Sequence, residues 1–317
     1  MIRIFRTLLL GSFLTASVAL ASAGQANMFQ KASDFDGDGR ADFAVIRDQG
    51  GQKIWYVWQS TDGFKAIHWG TGFDIGAAGD YNADGKTDFA VYRDTSTFPP
   101  LWTFHILESG SNIYTIKSFT DFGNFGSIPV QQDYNGDGRV DAALNLGEFG
   151  LTRPLQIKYS GPAGGGTTTS TPPREIPLRL GDLDGDGKAD VAYYHIETLL
   201  ITINNSSNGS VRTVQFGLAN DRHVMADFDG DGIGDIAVWR PSTGTWWWIR
   251  SSDGQVRATQ WGVNGDIPVP ADYDGDGKTD LAVWRPGTGQ ATYWVLGSQD
   301  GVRVFSWGLS VDRVVGY

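Results

Sequence analysis

Six short segments of this 317-residue chain set carboxylates at alternate positions, in the pattern D-x-[DN]-x-D-G-x-x-D. In chain order they comprise Asp34, Asp36, Asp38 and Asp42; Asp80, Asn82, Asp84 and Asp88; and Asp133, Asn135, Asp137 and Asp141. Asp182, Asp184, Asp186 and Asp190 follow, then Asp227, Asp229, Asp231 and Asp235, and last Asp272, Asp274, Asp276 and Asp280. Carboxylates packed so closely repel one another unless a cation sits among them. Hard oxygen ligands at alternate positions, with a Gly after the third, describe a calcium site. Position 7 needs only a backbone carbonyl, so its side chain is unconstrained: Arg40, Lys86, Arg139, Lys188, Ile233 and Lys278 stand there. No Glu occupies position 12 and an apolar strand follows instead of a helix, which excludes an EF-hand. The competing reading is six Asp-Gly turns without metal.

The loops hold 22 of the 36 acidic residues. The formal net charge is −11, or −13 without Arg3 and Arg6, and six Ca²⁺ would nearly neutralise it. The acidity therefore reads as metal sites and not as a surface for a basic partner. Asn82 and Asn135 replace a carboxylate at position 3, and Ala83 stands where the other loops have Gly. Those two sites are expected to be weaker. Extracellular calcium modules bind at about 10⁻⁴ to 10⁻³ M, so calcium is expected to be structural.

The loops recur at steps of 46, 53, 49, 45 and 45 residues, a spacing that matches one four-stranded propeller blade. In the last repeat IPVPAD enters the loop, DLAVWR leaves it, and ATYWVLGS and VRVFSWG follow across an Asp300-Gly301 hairpin turn. Repeats end in an aromatic-Gly pair at Gly70, Gly123, Gly217, Gly262 and Gly308. The run Trp246-Trp247-Trp248 reads as blade packing. The third repeat lacks the aromatic-Gly ending, and its Gly/Thr/Pro stretch 161–175 reads as an exposed loop replacing or distorting an outer strand. Both NMFQKAS near the N-terminus and the C-terminal LSVDRVVGY resemble first strands. The expected fold is an all-β, six-bladed propeller (seven blades as the alternative) in which a terminal strand closes the ring.

Asp outnumbers Glu, which stands only at 108, 148, 175 and 197, so a mainly helical fold is excluded. The absence of Cys excludes disulfides and thiolate chemistry. No basic patch suits nucleic acid. Residues 1–23 read as a secretory signal, with Arg3 and Arg6 before an apolar run and Ala21-Ser22-Ala23 after it, leaving 24–317 as one exported, monomeric domain without a membrane span.

The acidic motif with its following [FIL]-A-V strand resembles the FG-GAP and VCBS-type repeat family, which includes the N-terminal propellers of integrin α subunits. That resemblance, over Met28 to Tyr317, implies a calcium-binding β-propeller that binds proteins or glycans, and it carries the metal-ligand role onto the loop positions named above. His68, His105, His195 and His223 share no motif, and no nucleophile elbow or phosphate loop is present. A non-catalytic binding or adhesion module is the expectation, with the 161–175 stretch and Phe98-Pro99-Pro100 as candidate contact points. A lectin with repeated inter-blade pockets is the alternative, in which Arg47, Arg93, Arg240 and Arg285 would face the sugar or else make blade contacts. A polysaccharide-active enzyme ranks third.

Overall fold

The computed structural model describes residues 33–95, 101–109, 116–120, 123–124, 126–146, 154–169, 175–179 and 181–315. Residues 1–23, which the sequence suggests are a secretory signal, Phe98-Pro99-Pro100 and residues 170–174 lie outside them. Within these residues the chain forms 24 strands, β1 to β24 in chain order, arranged as six four-stranded antiparallel sheets. The last repeat is the clearest: β20 (Ile267–Pro268), β21 (Leu281–Arg285), β22 (Gln290–Gly297) and β23 (Gly301–Leu309) pair in sequence order. β21 is buried nearly throughout, whereas β23 is mostly exposed, so each blade runs from a buried inner side to a wet outer edge. The acidic loop joins the first and second strands.

The C-terminal strand closes the ring. β24 (Arg313–Val314) pairs with β1 (Phe43–Gln49) as the innermost strand of the first blade. The N-terminal candidate NMFQ lies outside the described residues. Six apolar clusters each join two neighbouring blades, and the cluster holding Val45 and Val314 together with Trp284 and Tyr293 makes the last blade adjoin the first. Trp246 is buried and Trp248 packs on the same cluster, so the tryptophan run serves blade packing.

The aromatic-Gly pairs seal the seams. Indole Nε1 of Trp261 donates to the Trp294 carbonyl in the next blade at 3.0 Å, and that of Trp307 donates to the Tyr56 carbonyl at 3.2 Å. Gly262 adopts φ +106°, and a Cβ there would lie 3.1 Å from a methyl of Val283. Only Gly combines that backbone with so close an approach. The third blade departs from expectation. Residues 166–169 of its Gly/Thr/Pro stretch are not loop but the outer strand β11, paired with Leu155–Lys158. Its threonines are β-branched and suit a pleated, exposed edge, which outweighs the turn signal of the preceding glycines.

Candidate metal centres on a ring of acidic loops

Each loop is folded by its own carboxylates. Asp34 accepts backbone N–H groups from Gly37 and Gly39 at 2.6 and 2.9 Å, and Asp272 does the same for Gly275 and Gly277. The ninth-position Asp bonds in two directions. Asp42 accepts Phe35 N–H across the loop and Ser60 N–H from the hairpin between the third and outer strands. Asp88, Asp141, Asp190, Asp235 and Asp280 repeat this with Ser109, Ser160, Ser206, Ser251 and Ser298. A Ser thus braces every loop. The signal was in the sequence, since the same residue type recurs at the end of each third strand, but its spacing from the ninth position varies with hairpin length.

The loops are also tied to each other. The position-8 N–H of each donates to the position-1 carbonyl of its neighbour: Ala41 to Asp272, Thr87 to Asp34, Val140 to Asp80, Ala189 to Asp133, Gly234 to Asp182 and Thr279 to Asp227, all at 2.6–2.7 Å. Six bonds therefore close a hoop around one face. Position 7 is not free. The stems of Lys86, Lys188, Ile233, Lys278 and Arg40 lie against Gly37, Gly136, Gly185, Gly230 and Gly275 of the adjoining loop, and the Arg139 guanidinium donates to the Asn82 carbonyl.

Four loops bring three carboxylates within 4.8 Å of one another: Asp34, Asp36 and Asp42; Asp182, Asp184 and Asp190; Asp227, Asp229 and Asp231; and Asp272, Asp274 and Asp276. The fit to a hard cation rests on one further observation. The Oδ1 atoms of Asp36, Asp184, Asp229 and Asp274, all at position 3, are buried without a hydrogen-bond partner. An anionic oxygen withdrawn from water and left unpaired is costly, and a cation would satisfy it. Asp38, Asp186 and Asp276 instead take the hydroxyls of Ser60, Ser206 and Ser298. Burial pushes Asp42, Asp88, Asp141, Asp235 and Asp280 up to about 7, and pushes Asp34, Asp133, Asp190 and Asp272 upward too.

The loops at Asp80 and Asp133 do not form such triplets among the described residues. Asn82 and Asn135 turn their Oδ1 atoms inward to the N–H groups of Asp84 and Asp137 at 2.9 Å. Ala83 is held at φ +60°, a left-handed conformation that costs a non-Gly residue about 1 kcal/mol.

The opposite ends of the blades carry a second repeated device. Arg47, Arg93, Arg240 and Arg285 each form a two-bond pair with the buried carboxylates of Asp312, Asp74, Asp221 and Asp266, at 2.6–3.0 Å. Three of these guanidinium groups also lie over Tyr56, Trp247 and Trp294. The arginines that a repeated sugar pocket would require are consumed in fixing the connectors between blades.

The family model of the FG-GAP-like repeat matches residues 34–91 and 227–283, each match starting on the first Asp of an acidic loop. No curated protein matches the chain. Similar solved structures include Kluyveromyces lactis Hsv2, at 14% identity and TM-score 0.41 over 83% of this chain and 85% of that one. A candidate 6-phosphogluconolactonase from Bacteroides fragilis is 13% identical, with TM-score 0.42 over 89% and 83% of the two chains. At that similarity neither carries an argument about function. The acidic loops, the period and the two repeat matches agree: this chain carries FG-GAP-like repeats at residues 34–91 and 227–283 and folds as a six-bladed β-propeller.

Proposed function

We propose that the protein is an exported calcium-binding propeller that acts as a non-catalytic module for a protein or glycan ligand on a surface. The observation that supports it is the hoop of acidic loops with its four orphaned position-3 oxygens. In the four triplet loops the carboxylates at positions 1, 3, 5 and 9, with the position-7 carbonyl, would hold Ca²⁺. When bound, the ion supplies charge neutralisation and stiffens the loop. The chain's own part is positional: the serines, the hoop bonds and the arginine pairs hold six blades in one frame, so the exposed outer strands and connectors form a fixed surface. The test is a glycan and protein binding screen on residues 24–317 with about 1 mM calcium and again with chelator. Saturable, chelator-sensitive binding supports the reading. Binding of neither class by the folded, calcium-loaded protein refutes it.

A further inference from the structure

The seam between the third and fourth blades is built unlike the other five. Among the described residues its apolar cluster is the smallest, with Val130, Ala143, Leu155 and Ile157 buried, Tyr134 and Tyr159 packed against them, and Val191 joining from the fourth blade. Two residues along from Ala143 and Val191, on the same faces, stand Asn145 and Tyr193. In the seam between the last two blades these places hold Trp239 and Val283, which both close on Gly262. Asn145 and Tyr193 are 4% and 2% exposed, yet Asn145 Oδ1 and the Tyr193 hydroxyl have no hydrogen-bond partner.

The ion pair is broken at the same level. In the strand pair β12 (Glu175–Pro177) and β13 (Val191–His195), Glu175 lies opposite His195 and Pro177 opposite Tyr193. Glu175 thus keeps the acid of the Asp–Arg pairs on the face shared with Tyr193, while His195 replaces the Arg. Nδ1 of His195 takes the N–H groups of Glu197 and Thr198, and no ion pair joins it to Glu175 among the described residues. Glu175 Oε2 is buried and unpartnered. The connector from Tyr159 to Glu175 carries no aromatic-Gly pair to seal the seam.

Three oxygens without partners therefore line this seam, those of Glu175 and Tyr193 on one face of the fourth blade, where four other blades hold an arginine paired with its aspartate. A neutral polyol would hydrogen-bond these groups but bring no charge for the carboxylate. A primary ammonium brings three N–H donors and the missing positive charge. We propose that this seam binds a primary ammonium group, held by the Asn145 carbonyl, the Tyr193 hydroxyl and the Glu175 carboxylate. The site goes beyond the calcium-dependent reading above and stands whether or not the acidic loops hold metal.

The test is calorimetric titration with two matched pairs, n-butylammonium against n-butanol and glucosamine against N-acetylglucosamine. The expected result is saturable one-to-one binding of the charged members only, weakened about tenfold or more by Glu175→Gln. Equal binding of the neutral members, insensitivity to Glu175→Gln, or no binding up to about 10 mM overturns the proposal. A second readout needs no ligand. Tyr193→Phe removes an orphaned hydroxyl and should raise Tm by about 2 °C or more. A lowered Tm would show that the hydroxyl has a partner, which also overturns it.

Discussion

Removing calcium is the perturbation whose size follows most directly from the loops. Four of them gather three carboxylates and leave a buried oxygen unpaired. With a dissociation constant near 10⁻⁴ M, each site at 1 mM calcium stabilises the fold by RT ln(1 + 10), about 1.4 kcal/mol. Four independent sites give about 6 kcal/mol. At roughly 2 °C per kcal/mol for a chain of this size, the metal-free protein should melt about 10 °C below the loaded one. The assay is differential scanning calorimetry of metal-stripped protein across a calcium titration, with the number of bound ions counted by equilibrium dialysis. Asp274→Asn should remove one ion and about a quarter of the shift. Asn82→Asp restores a carboxylate to the second loop and should add an ion. A shift below 2 °C at saturation, or a count that ignores both substitutions, would refute the reasoning that these carboxylates need a cation.

Three further outcomes are expected. Without metal, stability should fall as pH rises, because burial raises Asp42, Asp88, Asp141, Asp235 and Asp280 to about 7 from an unfolded value near 3.8. The folded state binds the extra protons, so stability is full below pH 4 and is lost up to about pH 7, at no more than about 1.4 kcal/mol per pH unit for each group; metal-stripped Tm at pH 5.5 should exceed that at 7.5, and calcium should reverse the order. Arg240→Met strands the buried Asp221 carboxylate and should cost about 2 kcal/mol, read as a denaturant midpoint, whereas an unchanged midpoint would mean the pair is only decorative. Gly262→Ala, at φ +106° and 3.1 Å from Val283, should cost about 1–3 kcal/mol, while the same change at the open Gly254 should cost less.

The motif, the period and the strand grammar were legible because each repeats within one stretch of chain. Asp227 to Asp235 announces a cluster of carboxylates by spacing alone, and Arg313–Val314 could be seen as a surplus first strand. What escaped notice depends on the neighbouring blade. The hoop bonds run from Thr279 to Asp227 or from Ala41 to Asp272, and no local pattern names the partner. The position-7 side chains looked unconstrained because the glycine they cover belongs to another repeat. Asp74, Asp221, Asp266 and Asp312 could be aligned and so could the strand-ending arginines, but pairing them required the register of first and second strands. Gly166–Thr169 was hidden by its own composition, since loop-forming glycines precede a strand held by its threonines. The exchange of Trp for Asn145 and of Val for Tyr193 is visible only once two blades face each other.

The strand that closes the first blade has a kinetic meaning. Arg47 and Asp312 are 265 positions apart, and Val45 lies beside Val314. Joining ends so distant costs on the order of 5 kcal/mol in chain entropy before any contact repays it. A linear array of repeats can nucleate anywhere and fray from its tips. Here the first and last blades lack a full seam between them until residues 313–314 dock. Partial rings therefore gain little, long-range contacts arrive late, and folding should be slow and unfolding all-or-none. One short strand converts six similar units into a single cooperative body.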